Sequence, residues 1–297
     1  MDGLIVIDKP EGLTSHDVVA RVRRILRTKR IGHAGTLDPF ATGVLVLLVG
    51  KATRLARFID KDEKEYKATV RLGFETETGD RTGIHTSQIF NGRFPAMDDV
   101  EAALSEFRGE IDQIPPMFSA KKIGGNKLYE LARRGESIDR KPNSVNIYKL
   151  EVDEDAVSDG RGTELRLDVV CSAGTYIRVL AQEIGNRLGT GAHLAELRRI
   201  RSGRFAISAA IELGELEKSD SPETLLMPIE KAVEHLPSMV LDVDRLEPTR
   251  KGLGTRINVP ELVDGQAVRM IDVEGGLAAV GYYNSQERSV RPKIVLI

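Results

Sequence analysis

The chain predicts an α+β fold followed by a small all-β unit, and three observations carry that reading. Amphipathic helices and alternating strands are mixed without the strand-helix-strand rhythm of a parallel sheet. A basic stretch bracketed by Pro115-Pro116 and Pro142 interrupts them. Past residue 235 the texture changes to short strands punctuated by glycine and proline. The expected division is therefore 1–235, with an insertion at about 115–142, and 236–297, which suits a chain of 297 residues.

The elements follow in order. Leu4 to Ile7 is a short strand that enters a Lys9-Pro10-Glu11-Gly12 turn. Thr14 or Ser15 then caps a helix whose Val18, Val19, Val22, Ile25 and Leu26 fall on one face, leaving its arginines outward. Strands are expected at Gly43 to Val49 and Tyr66 to Gly73, the second leading into a polar loop from Glu75 to Gly83. Asp98 to Glu106 reads as a helix with a capping aspartate. The 115–142 insertion has too few apolar residues for a core of its own, and it reads as a mobile flap that orders on RNA. Strands at Val145 to Val152 and Glu164 to Cys171 precede a helix opened by Gly174-Thr175-Tyr176-Ile177-Arg178 and ended by Gly189. Beyond a short helix ending near Glu234, strands are expected at Met239 to Val243, Thr255 to Val259, Ala267 to Asp272, Leu277 to Tyr282 and Lys293 to Leu296.

Composition narrows the function. Hydrophobic residues at 41% and charged residues at 30% describe a globular chain, and the N-terminal apolar run is too short for a signal peptide or a membrane span, so a cytoplasmic location is expected. The single Cys171 excludes an internal disulfide. The five histidines never reach metal-ligand spacing, and no dinucleotide or phosphate-loop motif is present, so neither metal nor cofactor is expected.

A formal net charge of −2 argues against a nucleic-acid partner until its distribution is considered. Basic residues cluster at Arg21 to Arg30, at Lys121 to Lys141 and at Arg198 to Arg204, while acids gather at Asp60 to Glu65 and Glu151 to Asp159. Such stripes suit phosphate contact, because each neutralised phosphate releases condensed counterion.

The most informative string is Gly32-His33-Ala34-Gly35-Thr36-Leu37-Asp38-Pro39-Phe40-Ala41-Thr42-Gly43-Val44-Leu45. Pro39 pushes Asp38 out of the α region, and the flanking glycines permit a tight turn and close approach to another molecule. Such a loop presents its carboxylate. The string resembles the signature of the bacterial tRNA pseudouridine-55 synthases, the TruB family, and further blocks do so in the same order: Ile7 to His16, Lys64 to Ala68, Pro115 to Lys122, Gly174 to Arg178 and Gly191 to Leu194. The resemblance is strong over residues 1 to about 235 and looser beyond.

The resemblance implies a pseudouridine synthase fold with a C-terminal PUA-like domain, and isomerisation of uridine 55 in the T-loop of elongator tRNAs by base flipping, without guide RNA. No cofactor is needed for an isomerisation. It also implies that Asp38 is the catalytic residue, attacking the ribose or the base, or removing the C2′ proton. Arg178 would lie against Asp38 and hold it ionised, and Asp80 would hold Arg178 from its other side. Tyr66 would stack on the target base, Tyr176 would pack beneath it and Leu194 would form an apolar wall. His33 would help extrude the base. Lys9 would support the Tyr66 strand or touch a phosphate. Lys121, Lys122, Arg133 and Arg134 of the flap would bind RNA. A monomer acting on the tRNA T-arm is expected, since that element is asymmetric. Two other readings stand beside this one, the catalytic subunit of a guide-RNA-directed complex and a tRNA-folding module without catalysis.

Overall fold

The computed structural model describes residues 1–59, 63–86, 89–119, 121–153, 163–257 and 261–297. The expected acidic clusters at Asp60 to Glu65 and Glu151 to Asp159, and the strand expected to reach Val259, fall partly outside the described residues.

In chain order the first unit contains β1 (Gly3–Lys9), α1 (Ser15–Ile25), β2 (Ile31–Ala34), β3 (Thr42–Val49), a 3-10 helix (Gly50–Phe58), β4 (Lys64–Leu72), α2 (Met97–Ser105) and β5 (Gly109–Gln113). A hairpin of β6 (Lys122–Ile123) and β7 (Asn126–Lys127) leads into α3 (Leu128–Arg133). Then come β8 (Asn143–Val152), β9 (Glu164–Cys171), α4 (Ile177–Arg187), β10 (Ala192–Ser202), β11 (Phe205–Ala206), β12 (Ile211–Glu212) and α5 (Leu213–Lys218). The C-terminal part contributes β13 (Ser238–Val240), α6 (Val243–Arg250), β14 (Thr255–Arg256), β15 (Ala267–Ile271), β16 (Leu277–Asn284) and β17 (Ser289–Val295).

The main sheet runs β12-β1-β3-β10-β4-β9-β8-β5, with β2 beside β3 and β11 beside β10. It is antiparallel except where β1 meets β12 and β10 meets β3. β3 is apolar on both faces because both are covered. Leu45, Leu47 and Val49 join α1, whose Val18, Val19 and Val22 are fully buried, while Val44, Val46 and Leu48 face the opposite core. Each such side chain stabilises the fold by roughly 1.5–3 kcal/mol.

β10 is missing from the sequence reading. Its polar content, Glu196, Arg198, Arg199 and Arg201, hides a strand at the middle of the sheet, paired with β4 over nearly its whole length. The helix around Pro248 and the short strand β2 were also not foreseen. Thr14 is the cap of α1, and α2 begins one residue earlier than expected, with Asp99 rather than Asp98 accepting the Ala96 N–H. Not all of the α1 arginines face outward, since Arg23 turns inward and donates to the Ile31 carbonyl.

The C-terminal strands form a five-stranded sheet, β13-β15-β16-β17-β14. It has its own core around Met239, Val268, Met270, Tyr283 and Val290. Its Leu277, Val280, Ile294 and Leu296 also belong to one cluster with Leu4, Val6, Val44, Val46, Ala52 and Leu55 of the first unit. Lys51 and Arg54 of the 3-10 helix donate to the carbonyls of Leu296 and Val295.

Among the described residues, no helix is long and apolar enough to cross a membrane.

Candidate active site

One edge of β3 explains why the Asp38 loop stands where it does. β10 pairs with that strand at Thr42 and Gly43, and β2 pairs with it at Val46 to Val49, so the chain between β2 and β3 leaves the sheet at a fork. Gly43 has φ +98°, and a Cβ there would lie 2.2 Å from the Arg199 carbonyl oxygen, so only glycine fits at this crossing. Residues 35 to 38 then line a cavity of about 370 Å³. Its lining includes Asp38, Lys64, Tyr66, Lys121, Tyr176, Arg178, Leu197 and Arg199. The volume lies in the range of small-ligand sites, ~300–1,000 Å³.

Asp38 and Arg178 form the centre. Arg178 Nε lies 2.9 Å from Asp38 Oδ2, and its Nη2 donates to Oδ1 at 3.3 Å. The guanidinium also donates to the carbonyls of Thr78 (2.8 Å) and Phe118 (2.7 Å), and Asp80 Oδ2 stands 3.8 Å from Nη1. Asp80 is itself fixed, since its Oδ1 accepts from the Thr78 hydroxyl and from the Thr82 amide and hydroxyl. The Arg178 side chain is 5% exposed and that of Asp38 is 35% exposed, so the arginine is locked and the carboxylate keeps an open side.

Arg178 pulls the Asp38 pKa down as expected, but it does not set the net shift. Burial raises it above the ordinary carboxylate value; the guanidinium opposes that shift, and the Asp80 charge adds to it. Arg178 thus limits a rise caused by desolvation. Burial likewise pushes the Tyr66 phenol up, with the Arg199 guanidinium opposing.

Tyr66 is the cross-strand partner of Arg199 on β10. Arg199 is 1% exposed, and it donates from Nε to the Val44 carbonyl (2.7 Å) and from Nη2 to the Gly35 carbonyl (2.8 Å), tying both ends of the Asp38 loop. The sequence reading placed it in a basic stripe. That stripe is not a free phosphate surface: Arg198 pairs with Asp8, Arg201 with Glu65 and Arg204 with Glu234. The missed signal is the alternation Leu197-x-Arg199, which puts both side chains on the cavity face of a strand.

Leu194 does not form the apolar wall. It is fully buried, its N–H donates to the Gly79 carbonyl, and its own carbonyl accepts from Arg81, whereas Leu197 lines the cavity. A register shift between Leu194 and Glu196 brings the two onto one face, with Leu194 opposite Val70 and Leu197 opposite Ala68, nearer to Tyr66. Tyr176 lines the cavity at the start of α4 and is partly buried. His33 lies on β2, outside the cavity lining, with Nε2 3.2 Å from the Thr36 hydroxyl. Lys9 is wholly buried and donates to three carbonyls, those of Pro10, Leu13 and Pro39, a supporting position rather than one open to a phosphate. In the insertion, Lys121 lines the cavity and donates to Asn143, and Arg134 pairs with Glu136 at the surface. The side chains of Lys122 and Arg133 lie outside the described part of the structure.

An open carboxylate beside a locked guanidinium and a buried tyrosine, at a cavity sized for a small ligand, suits covalent or proton-transfer chemistry on one small group. Solved structures with the same architecture give the class. The protein resembles a Cbf5-Nop10-Gar1 complex (31% identity, TM-score 0.75) and an H/ACA RNP bound to a substrate RNA containing 2′-deoxyuridine (29%, TM-score 0.74). Each match covers 99% of this chain and 85% of the other. The fold is that of the pseudouridine synthases. The family model for the N-terminal domain of TruB family pseudouridylate synthases matches residues 23–177, and that for the C-terminal domain of tRNA pseudouridylate synthase B matches 178–234. The tRNA pseudouridine synthase B of Solibacter usitatus is 45% identical over 85% of both chains, and that of Bacillus anthracis 40% identical over 85% of this chain and 84% of its own. The chain belongs to the TruB family of pseudouridylate synthases.

Proposed function

We propose that this isomerase converts uridine 55 in the T-loop of tRNA to pseudouridine, as a monomer and without guide RNA. The observation that carries the reading is the Asp38–Arg178 pair at the open end of a cavity walled by Tyr66 and Leu197. Asp38 attacks the ribose or base of the extruded uridine, or takes the C2′ proton. The uracil is released from C1′, turns and rejoins through C5, the C5 proton is removed while N1 takes one up, so that atoms balance, and the aspartate leaves unchanged. Arg178 keeps Asp38 reactive, Asp80 holds Arg178, Tyr66 and Tyr176 hold the base, and Leu197 excludes water from one side. His33 occupies the gap left in the T-loop. Lys121, Lys122, Arg133 and Arg134 supply phosphate contacts from the 115–142 insertion, which closes over the RNA. The catalytic unit spans 1–235, and the PUA-like residues 236–297 support it.

The 40–45% identity to tRNA pseudouridine synthases favours the guide-free reading over the guided one suggested by the H/ACA neighbours. Carbodiimide-adduct primer extension on an unmodified tRNA transcript, with purified protein alone and beside Asp38→Asn, tests it. A T-loop stop that disappears in the variant is expected. Tight binding without product from the wild type would move the assignment to a guided or purely RNA-folding role.

A further inference from the structure

Three side chains from outside the Asp38 loop pin its backbone at four places. Arg199 holds the ends, at Gly35 and Val44. On the far side of Asp38, the Pro39 carbonyl accepts from Lys9 Nζ at 3.3 Å and from the Gly12 amide at 2.8 Å. On the near side stands Ser15. Its Oγ accepts from the Leu37 N–H at 2.8 Å and donates to the Leu37 carbonyl at 3.0 Å.

A serine at the start of a helix is ordinarily explained by capping. That explanation fails here, because Thr14 caps α1 by accepting from the Asp17 amide at 3.0 Å. Ser15 is 2% exposed, and its hydroxyl spends its donor and an acceptor lone pair on one residue of another segment. The Leu37 carbonyl belongs to the peptide that carries the Asp38 nitrogen. Fixing both polar groups of Leu37 therefore fixes the plane from which the Asp38 side chain springs. Being buried, Ser15 cannot reach an RNA.

We infer that Ser15 is a positioning residue for the reacting carboxylate: through the two Leu37 hydrogen bonds it sets the direction in which Asp38 meets the nucleotide. This rests on the reading of Asp38 as the reacting group. Without the hydroxyl, two backbone groups lose their partner and the loop can swing, and a displacement of ~1 Å at a reacting atom costs on the order of 10²-fold in rate.

The test measures single-turnover pseudouridine formation and tRNA affinity for Ser15→Ala and for the isosteric pair Ser15→Thr and Ser15→Val, with thermal melts of each. Ser15→Ala and Ser15→Val should lose about 10- to 100-fold in rate with affinity within about twofold of wild type, while Ser15→Thr keeps at least about a third of the rate. Should the alanine variant fail to fold, the threonine and valine proteins, alike in shape and different only in the hydroxyl, decide. Equal rates for those two, or a folded Ser15→Ala protein within twofold of wild type, would overturn the inference while leaving the enzyme assignment intact. A wild type that forms no product overturns the assignment and this inference together.

Discussion

Replacing Lys9 by methionine should change how stability depends on pH. Lys9 is fully enclosed, and burial lowers its pKa from 10.5 to about 8, against the opposing pull of Asp38 and Glu11. That fall is worth about 3 kcal/mol between the charged and neutral forms, at about 1.4 kcal/mol for each pH unit. The unfolded chain keeps this proton up to about pH 10.5 and the folded chain releases it near 8, so between those values the unfolded state binds more protons. Stability from this group therefore rises with pH in that window and is flat below it. Methionine abolishes the effect. At pH 7 it also deletes three hydrogen bonds, but the Pro39 carbonyl retains the Gly12 amide, leaving two orphaned carbonyls at about 1–3 kcal/mol each. That loss is offset by about 3 kcal/mol no longer needed to bury a charge. Urea unfolding of both proteins from pH 7 to pH 9.5 isolates Lys9, because other groups cancel in the difference. The wild type should gain about 2 kcal/mol over Lys9→Met between pH 8 and pH 9.5. A flat difference across the series would refute the reasoning and mean that the three carbonyls fully compensate the ammonium for lost water.

Other expectations concern the site. Because burial raises the Asp38 carboxyl, the single-turnover rate should fall as pH drops through a value above that of an ordinary aspartate, and Arg178→Gln should move this acid limb to still higher pH. A pH profile of the two proteins checks both shifts. Tyr66→Phe should keep tRNA affinity within about twofold and lose at least about 10²-fold in rate if the hydroxyl takes part in proton transfer, as filter binding beside single-turnover kinetics will read. Gly43→Ala places a methyl against the backbone of Arg199 at a φ of +98°, so it should cost at least about 3 kcal/mol or prevent folding, and a melt of the variant decides.

What was legible in the sequence was local. The Asp38 loop, the α1 stripe and the 164–171 strand announce themselves through proline, glycine and apolar periodicity, and the structure has β9 at Glu164–Cys171. What was not legible depends on pairing partners. β10 reads as a charged stripe because its arginines are balanced by Asp8 and Glu65 or buried against carbonyls, which no local pattern reveals. Leu197, rather than Leu194, reaches the cavity because it stands opposite Ala68, next to the Arg199–Tyr66 pair, whereas Leu194 stands opposite Val70 farther along the same face, a placement that only the alignment with β4 creates. The sign of the Asp38 shift was likewise hidden, since it depends on how much water the surrounding elements remove.

The cluster that joins Leu277, Val280, Ile294 and Leu296 to Leu4, Val6, Val44 and Val46 makes the last strands part of the packing against β1 and β3. β1, whose inner residues rest on that cluster, ends at Lys9, and β3 begins at the close of the Asp38 loop. Cutting the chain before β16 would therefore not detach an appendage. It would bare one face of β1 and β3, the strands that flank the Asp38 loop, so the C-terminal sheet is a wall of the first unit's own interior.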